Sequence, residues 1–326
     1  SFDLNSLYPH LIMQYNMSPD TMIPKIYPQE INVKKLLEGE VDLSMLTETT
    51  VTPNGALFRT DKQGFLPELL EEMYDQRVLF KRKMIDKQIE LETIDKNDLT
   101  KRKRCEYDIV KYNNNQMVRK IALNSCYGAL GNQYFRYFNR EIAEGITTSG
   151  QLSIKWVERA VNKFLNKLLE TDKDYVVAID TDSIYVTFED LVDRVNPKNP
   201  VEFLDTIAKE KIEPMINSNY EELASYTNAY QNKMEMGREV IADKGIWTAK
   251  KRYILNVHDS EGVRFKTPKL KMMGIETAKS STPMWCRKKL EEGIRTLMNG
   301  SENDVHEFIE SSRLEFNKLP IEEVSF

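Results

Sequence analysis

The stretch Tyr175-Val-Val-Ala-Ile-Asp-Thr-Asp-Ser-Ile-Tyr-Val-Thr-Phe188 constrains the fold more than any other part of the sequence. β-Branched and aromatic residues flank Asp180-Thr181-Asp182-Ser183, while Asp and Ser suit a tight turn, so the pattern predicts two short strands joined at an acidic tip. Asp180 and Asp182 stand two residues apart. If strand geometry carries through the tip, both carboxylates leave one face and can converge on one cation. Oxygen-only ligands of this kind favour a hard ion such as Mg2+ over zinc. Taken alone, Asp-x-Asp at a hairpin is commoner as turn chemistry than as a metal site. Asp3, in a second strand-like segment, shifts that balance.

A chain of 326 residues that is 40% hydrophobic has enough material for a sizeable core and for more than one domain or subdomain. No apolar run reaches the length of a membrane span, and the first residues lack the basic-then-apolar pattern of a signal peptide, which predicts a cytoplasmic protein with no membrane partner. Cys105, Cys126 and Cys286, like His10, His258 and His306, are too scattered for a zinc signature or a disulfide framework, and read as ordinary core or surface residues. The net charge of −5 argues against a polyanion ligand, but the charge is uneven. Arg238 to Arg295 holds 14 Lys or Arg against 7 Asp or Glu, a local +7. Such a segment fits a groove for one polyanion and equally a solvated basic face. Because the chain enters a motif-dense segment straight from Ser1, the expectation is a piece of a longer polypeptide.

Phe2 and Leu4 alternate with Asp3 and Asn5 as in a strand, and Pro9 introduces a helical His10 to Tyr15. A helix start exposes backbone N–H groups to anions, so Ser6, Leu7 and Tyr8 can cradle a triphosphate beside a cation on Asp3. The same nine residues also read as a capped helix with Tyr8 in the core. Residues 18 to 63 read as loops and short strands without visible chemistry. Gly64 opens a long helix to about Glu92, on which Arg77 and Lys81 share a face, and after a charged break a second helix runs to about Leu130. The two form a helical hairpin. On the second helix Lys120, Asn124 and Tyr127 fall on one stripe, with Val118, Ile121, Ala122 and Ala129 opposite, predicting a polar working face and a buried apolar back. A cation, an amide and a phenol beside Gly128 suit a nucleoside triphosphate. A later amphipathic helix is expected to lay Leu152, Trp156, Phe164 and Leu168 against a sheet. Thr248 to Val257 reads as one strand with three cations at its start, Arg264 to Lys271 as a basic strand pair, and the chain from Pro283 on as helical.

Asp3-Leu-Asn-Ser-Leu-Tyr-Pro9, Lys120-x3-Asn124-Ser-x-Tyr127-Gly128, Asp180-Thr-Asp182-Ser183 and Lys250-Lys-Arg-Tyr253 occur in the order found in the family B (polymerase-alpha-like) DNA polymerases. Pro268 to Pro283 is most similar to the replicative polymerases of T4-like bacteriophages. The resemblance implies an α+β fold with a mostly antiparallel palm sheet and packed helices, plus a two-helix fingers hairpin and a partial thumb. The palm would span 1–63 and 133–274, the fingers 64–132, and the start of a thumb 275–326.

The implied activity is template-directed nucleotidyl transfer from a dNTP to a primer 3′-hydroxyl with release of pyrophosphate, on primer-template DNA in an infected bacterial cell. Asp3 and Asp182 would bridge two Mg2+ ions, with Asp180 as a further ligand and Mn2+ as a substitute metal. Ser6 and Leu7 would offer N–H groups to the triphosphate, and Tyr8 would exclude a ribose 2′-hydroxyl. Arg77, Lys81, Lys120 and Asn124 would grip the triphosphate, with Lys120 as proton donor to pyrophosphate. Tyr127 and Gly128 would face the nascent base pair. Lys250, Lys251, Arg252 and Tyr253 would hold the primer end, and Lys269, Lys271 and Lys279 the duplex behind it.

Relatives carry an N-terminal domain and a 3′–5′ exonuclease before the first motif, so proofreading is expected outside this chain, on a separate polypeptide or another part of one gene product. A sliding clamp would be reached only indirectly. Cys126 replaces a residue that is usually aliphatic, a tolerable change. Two other classes remain open: a module that binds primer-template but needs a second chain for activity, and a different two-metal palm enzyme that makes RNA.

Overall fold

The structure is a computed structural model that describes residues 1–95 and 97–325. In chain order its elements are β1 (Phe2–Leu4), α1 (Leu7–Gln14), β2 (Met22–Ile26), α2 (Val33–Glu38), β3 (Thr49–Val51), β4 (Ala56–Arg59), α3 (Phe65–Thr93), α4 (Leu99–Leu130) and α5 (Arg140–Leu169). There follow β5 (Val176–Asp180), β6 (Ser183–Val186), α6 (Glu189–Val195), α7 (Pro200–Ile207), a π-helical turn (Ala208–Ile212), α8 (Glu213–Tyr226) and β7 (Met236–Arg238). Last come β8 (Val240–Ala249), β9 (Arg252–Ser260), β10 (Val263–Met273), a 3-10 turn (Glu276–Ala278), α9 (Met284–Asn299), α10 (Glu302–Phe316) and α11 (Ile321–Val324). The fold is α+β.

These elements form two compact units. One comprises Asp3–Phe188 and Glu210–Gly237, the other Ser1–Phe2, Glu189–Lys209 and Arg238–Phe326.

The first unit is organised by α5. Its buried Ile142, Ile146, Val157, Val161, Leu165 and Leu169 recur at helical spacing, and it packs on α1, α2, α8 and β5. Each such side chain removed from water contributes about 1.5–3 kcal/mol. Small residues on the same helix, Gly145, Ser149, Gly150 and Ser153, let α1 come close. A Cβ on Gly150 would lie 3.5 Å from Leu7 and 3.7 Å from Tyr8, so this position forms the floor beneath the start of α1. Trp156 donates its indole N–H to the Asn219 carbonyl at 3.0 Å and stacks on Tyr226, which ties α5 to α8. Leu168 does not join this face. It is 49% exposed, and Leu165 and Leu169 take the inward positions instead. The helix starts at Arg140, capped by the Asn139 side chain on the Ile142 N–H.

The four-stranded sheet of this unit runs β5-β6-β1-β7. β5 and β6 pair antiparallel, with Asp180 opposite Ser183. β1 lies beside β6, and the Leu4 N–H donates to the Asp182 carbonyl at 2.9 Å. A second sheet, β2-β4-β3, and the short helix α2 occupy the stretch that reads in sequence as loops and short strands.

α3 and α4 form an antiparallel hairpin. Gln76 accepts from the Arg119 Nε–H at 2.9 Å, the Arg119 guanidinium lies 4.5 Å from the Phe80 ring centroid, and the Cys105 thiol reaches the Lys87 carbonyl at 3.1 Å. The predicted buried back of α4 is not there: Val118 is 64% and Ile121 59% exposed. The residues that are buried are Cys105, Gln116, Leu123 and Leu130, the last three at seven-residue spacing. One partner helix covers only a narrow seam, and a seam repeats every seven residues rather than filling a half-cylinder.

Asn16 anchors the start of α3. Fully buried and at φ 52°, it donates to the carbonyls of Arg59 and Lys62, both at 2.7 Å, and accepts from the Gly64 N–H at 2.8 Å. Gly64 is itself required, because a Cβ there would sit 2.7 Å from the Ser18 Cβ. Asn16→Ala orphans three backbone groups and forces alanine into a left-handed turn, so it is expected to cost about 2–3 kcal/mol. Urea denaturation checks this, and a loss below about 0.5 kcal/mol would contradict the anchoring role.

In the second unit β8, β9 and β10 make an antiparallel meander. Ile254, Ile275 and Met298 form its core with Ile246, Leu270, Met272 and Ile294 packed around them, which places α9 on the sheet. Thr248 to Val257 is two strands rather than one, since β8 ends at Ala249 and Lys250-Lys251 make the turn, with Lys251 at φ 60°. Arg264 to Lys271 belongs to a single strand, β10, whose register against β9 shifts between Arg264 and Lys269. Pro268 lies in that break, where the missing N–H costs no ladder bond.

Candidate active site

The strand-to-helix turn after β1 is shaped by Ser6. Its backbone is left-handed at φ 48°, ψ 56°, so the chain reverses abruptly and α1 starts at Leu7. The first helical bond is His10 N–H to the Ser6 carbonyl at 3.2 Å, which leaves the Leu7 and Tyr8 N–H groups ahead of the ladder. Pro9 carries no N–H at all. The turn therefore presents donors of the kind that suit an anionic oxygen.

Arg77, on α3, donates from Nη1 to the Ser6 hydroxyl at 2.8 Å. Its Nε–H is buried and has no acceptor among the described residues. A guanidinium fixed at one end with an unused buried donor is suited to a phosphate oxygen. Tyr8 meets Tyr127 of α4, with ring centroids 4.7 Å apart and a tilt of 46°. Burial pushes the Tyr8 phenol above its ordinary range, with Tyr127 and the Asp182 carboxylate adding to the shift. At neutral pH Tyr8 is therefore a neutral hydroxyl within electrostatic reach of Asp182.

Asp182 does not continue a strand. It occupies the two-residue tip between β5 and β6, after Thr181 at φ 55°, and its N–H donates to the Asp180 carbonyl at 2.7 Å. The turn, rather than strand alternation, sets where its side chain goes. Asp3 is in β1, the next strand over. The sheet thus brings three acidic residues from opposite halves of the unit to one end. Among the described residues, however, no group of three or more His, Cys, Asp or Glu is spaced to hold a metal ion, so Asp3, Asp180 and Asp182 do not together form a three-ligand group.

The other expected nucleotide contacts lie on the helical hairpin. Lys81, Lys120, Asn124 and Gly128 are exposed, and a Cβ added at Gly128 would meet nothing within 4 Å. Of the expected nucleotide residues the structure joins Ser6 to Arg77 and Tyr8 to Tyr127. Cys126 stands beside them, and burial pushes its thiol up to about 11, which makes it a small apolar filler.

In the second unit the basic residues divide into two groups. Arg252 and Lys279 both engage Glu276, at 2.6 and 3.3 Å, and Lys271 engages Glu239 at 2.7 Å. Tyr253 is only 4% exposed and packs beside Trp247. Lys250 and Lys251 at the β8–β9 turn form no ion pair with any described residue, and the Lys269 ammonium lies 4.3 Å from the Phe265 ring centroid. The charge available to a polyanion is smaller than the sequence count suggests.

Two residues with evident roles here escaped the sequence reading. Asn16 fixes the start of α3, and His10 touches Ser6 through its ring. Neither lies in a pattern that marks chemistry.

The profile of DNA polymerase family B matches residues 1–323. The chain belongs to DNA polymerase family B. This family B chain is 35% identical to the DNA-directed DNA polymerase of Enterobacteria phage T4 over 98% of its length, and 36% identical to that of Escherichia phage RB69 over 93%. A more distant relative, DNA polymerase 1 of Pyrococcus abyssi, is 28% identical over 68% of it. The chain spans 41% of the T4 enzyme and 39% of the RB69 enzyme. Among the described residues no helix is long and apolar enough to cross a membrane.

Proposed function

We propose that this family B chain is the palm and fingers module of a template-directed DNA polymerase, and that its first unit binds the incoming dNTP. The observation that carries this reading is the turn at Ser6. It combines helix-start N–H groups ahead of the hydrogen-bond ladder, a guanidinium with a buried N–H that has no acceptor among the described residues, and a tyrosine pair beside Asp182. Triphosphate, sugar and metal-binding carboxylate would meet there. The palm would comprise 1–63 and 133–274, the fingers 64–132, and a thumb would begin at 275.

Asp3 and Asp182 would hold two Mg2+ ions, with Asp180 as a further ligand. Mg2+ is typically bound through one or two carboxylates plus water and substrate phosphates, so an all-protein cage is not required and this donor set fits. When bound, the ions supply charge neutralisation at the triphosphate and a more acidic primer hydroxyl. The protein's own work is positional. Ser6, Leu7 and Arg77 orient the β- and γ-phosphates so that pyrophosphate lies in line with the attacking 3′-hydroxyl. Lys120 and Asn124, with Lys81, would reach the triphosphate when the α3–α4 hairpin closes, and the Lys120 ammonium would give a proton to the departing pyrophosphate. A hairpin with so narrow a buried seam is suited to such movement. Lys250, Lys251 and Lys269 would take phosphates of the primer duplex. Arg252, Lys271 and Lys279 would do so only by exchanging a carboxylate for a phosphate.

Tyr8 would lie under the sugar, its ring fixed between Tyr127 and the floor at Gly150. Tyr8→Ala is expected to raise ribonucleotide incorporation by about tenfold or more, since a steric barrier of one ring is removed. Primer extension with paired dNTP and rNTP reactions measures it, and an unchanged sugar preference would remove the role given to Tyr8. The assay uses this chain, alone and with the polypeptides that copurify with it from its native host. Extension only in their presence favours a catalytic module completed by a second chain carrying the exonuclease.

A further inference from the structure

We propose that His10 is a positioning residue for nucleotide binding, holding Ser6 in its left-handed conformation while Arg77 is engaged by the triphosphate. The proposal rests on the nucleotide reading of the α1 start given above. Serine at φ 48° is in a region that L-residues avoid at a cost of about 1 kcal/mol, so something must hold it there. Three bonds do. The Ser6 hydroxyl takes the Arg77 Nη1–H at 2.8 Å, and the Ser6 carbonyl takes both the His10 backbone N–H at 3.2 Å and the His10 ring Nδ1 at 3.0 Å.

These restraints differ in how they fare during the reaction. Arg77 would turn toward phosphate, loosening or sharing its bond to the hydroxyl. The His10 ring engages the Ser6 carbonyl, not the hydroxyl that Arg77 holds. It is 5% exposed and packs edge-on against Tyr74 with centroids 4.5 Å apart. A carbonyl only accepts, so Nδ1 must carry the proton and the tautomer is fixed. Burial holds the ring below its usual range, opposed by the bond to Ser6, so it is a neutral donor at neutral pH. His10 also lines a cavity of about 360 Å³ together with Glu71, Tyr74, Asp75, Lys233 and Glu235.

The test compares wild type with His10→Leu and His10→Asn. Leucine keeps the bulk without the donor, whereas asparagine places an amide N–H near the Nδ1 position. dNTP KM and kcat are measured on a primed template together with thermal unfolding, and hydrogen exchange of the Leu7 and Tyr8 amides is followed with and without dNTP. His10→Leu is expected to raise KM about tenfold with kcat changed less than threefold, the size expected for one lost hydrogen bond to a strained turn. It should also weaken the dNTP-induced protection of the two amides, and His10→Asn should restore both to within about threefold. Unchanged KM and protection in His10→Leu, or equal loss in both variants tracking a fall in Tm, would overturn the role of His10. A wild type whose Leu7 and Tyr8 amides gain no protection from dNTP would instead overturn the nucleotide reading itself.

Discussion

Asp182→Ala is expected to lower kcat for primer extension by about 10³-fold or more while leaving the fold intact. Asp182 sits in a turn rather than in the core, half-buried at the hairpin tip, so removing its carboxylate opens no cavity. The Tyr8 pair and the Ser6–Arg77 bond do not depend on it. What is lost is a carboxylate at the point where β1 and the β5–β6 hairpin meet. Charge stabilisation of several kcal/mol in the transition state converts, at 1.36 kcal/mol per decade, to a thousandfold or more. Single-turnover extension measures the chemical step directly. Near-wild-type turnover in this variant would show that the hairpin tip is only a turn.

The second large effect falls on stability. Asp259 is fully buried in β9 and pairs with Arg238 and, at 2.7 Å, with Arg264, while Arg238 also reaches Asp205 of α7 at 2.6 Å. The network ties three strands to a helix, and its centre is out of reach of water, with the Arg238 side chain 4% and that of Asp259 0% exposed, while Arg264 lies at its partly exposed edge. Asp259→Ala leaves a buried guanidinium with one counter-charge fewer, and is expected to cost about 3–5 kcal/mol. The double change Arg238→Met, Asp259→Leu should recover most of this, because it removes the charges as a pair. Urea unfolding of the three proteins decides the matter. A loss under about 1 kcal/mol in Asp259→Ala would contradict the account.

The same network makes this unit acid-sensitive. Burial works to raise the Asp205 pKa, but Lys209 and Arg238 outweigh it and hold the carboxyl below its ordinary value. A depressed carboxylate stabilises the fold fully above the unfolded value of about 3.9. That contribution is lost as pH falls through the lower folded value.

Much of this molecule was legible because its signals are local. Gly64 opens α3, a charged break separates it from α4, and the turn residues of Asp180 to Ser183 mark the hairpin. That β1, which carries Asp3, lies beside the β5–β6 hairpin was expected from the order of the four motifs, since no local pattern links segments so far apart. The misreadings share a cause, which is that tertiary partners are invisible to a local pattern. Val118 and Ile121 looked like a core face, yet α4 has one neighbour along most of its length. Lys251 carries no turn signature, and a left-handed lysine between two strands cannot be inferred from its composition. Arg252, Lys271 and Lys279 counted as free charge until Glu276 and Glu239 folded onto them. His10 was set aside as a lone histidine, because its value depends on the strained serine one turn earlier.

The central claim is that Asp3 and Asp182 together seat divalent ions beside the Ser6 turn. Calorimetric titration of Mn2+ with a dNTP into wild type and into Asp3→Asn, Asp182→Asn tests it most directly, because it reads binding without requiring turnover. The account predicts that the double variant loses at least about tenfold in Mn2+ affinity while keeping its affinity for metal-free nucleotide, which rests on Ser6, Leu7 and Arg77. Equal Mn2+ binding by the two proteins would contradict it.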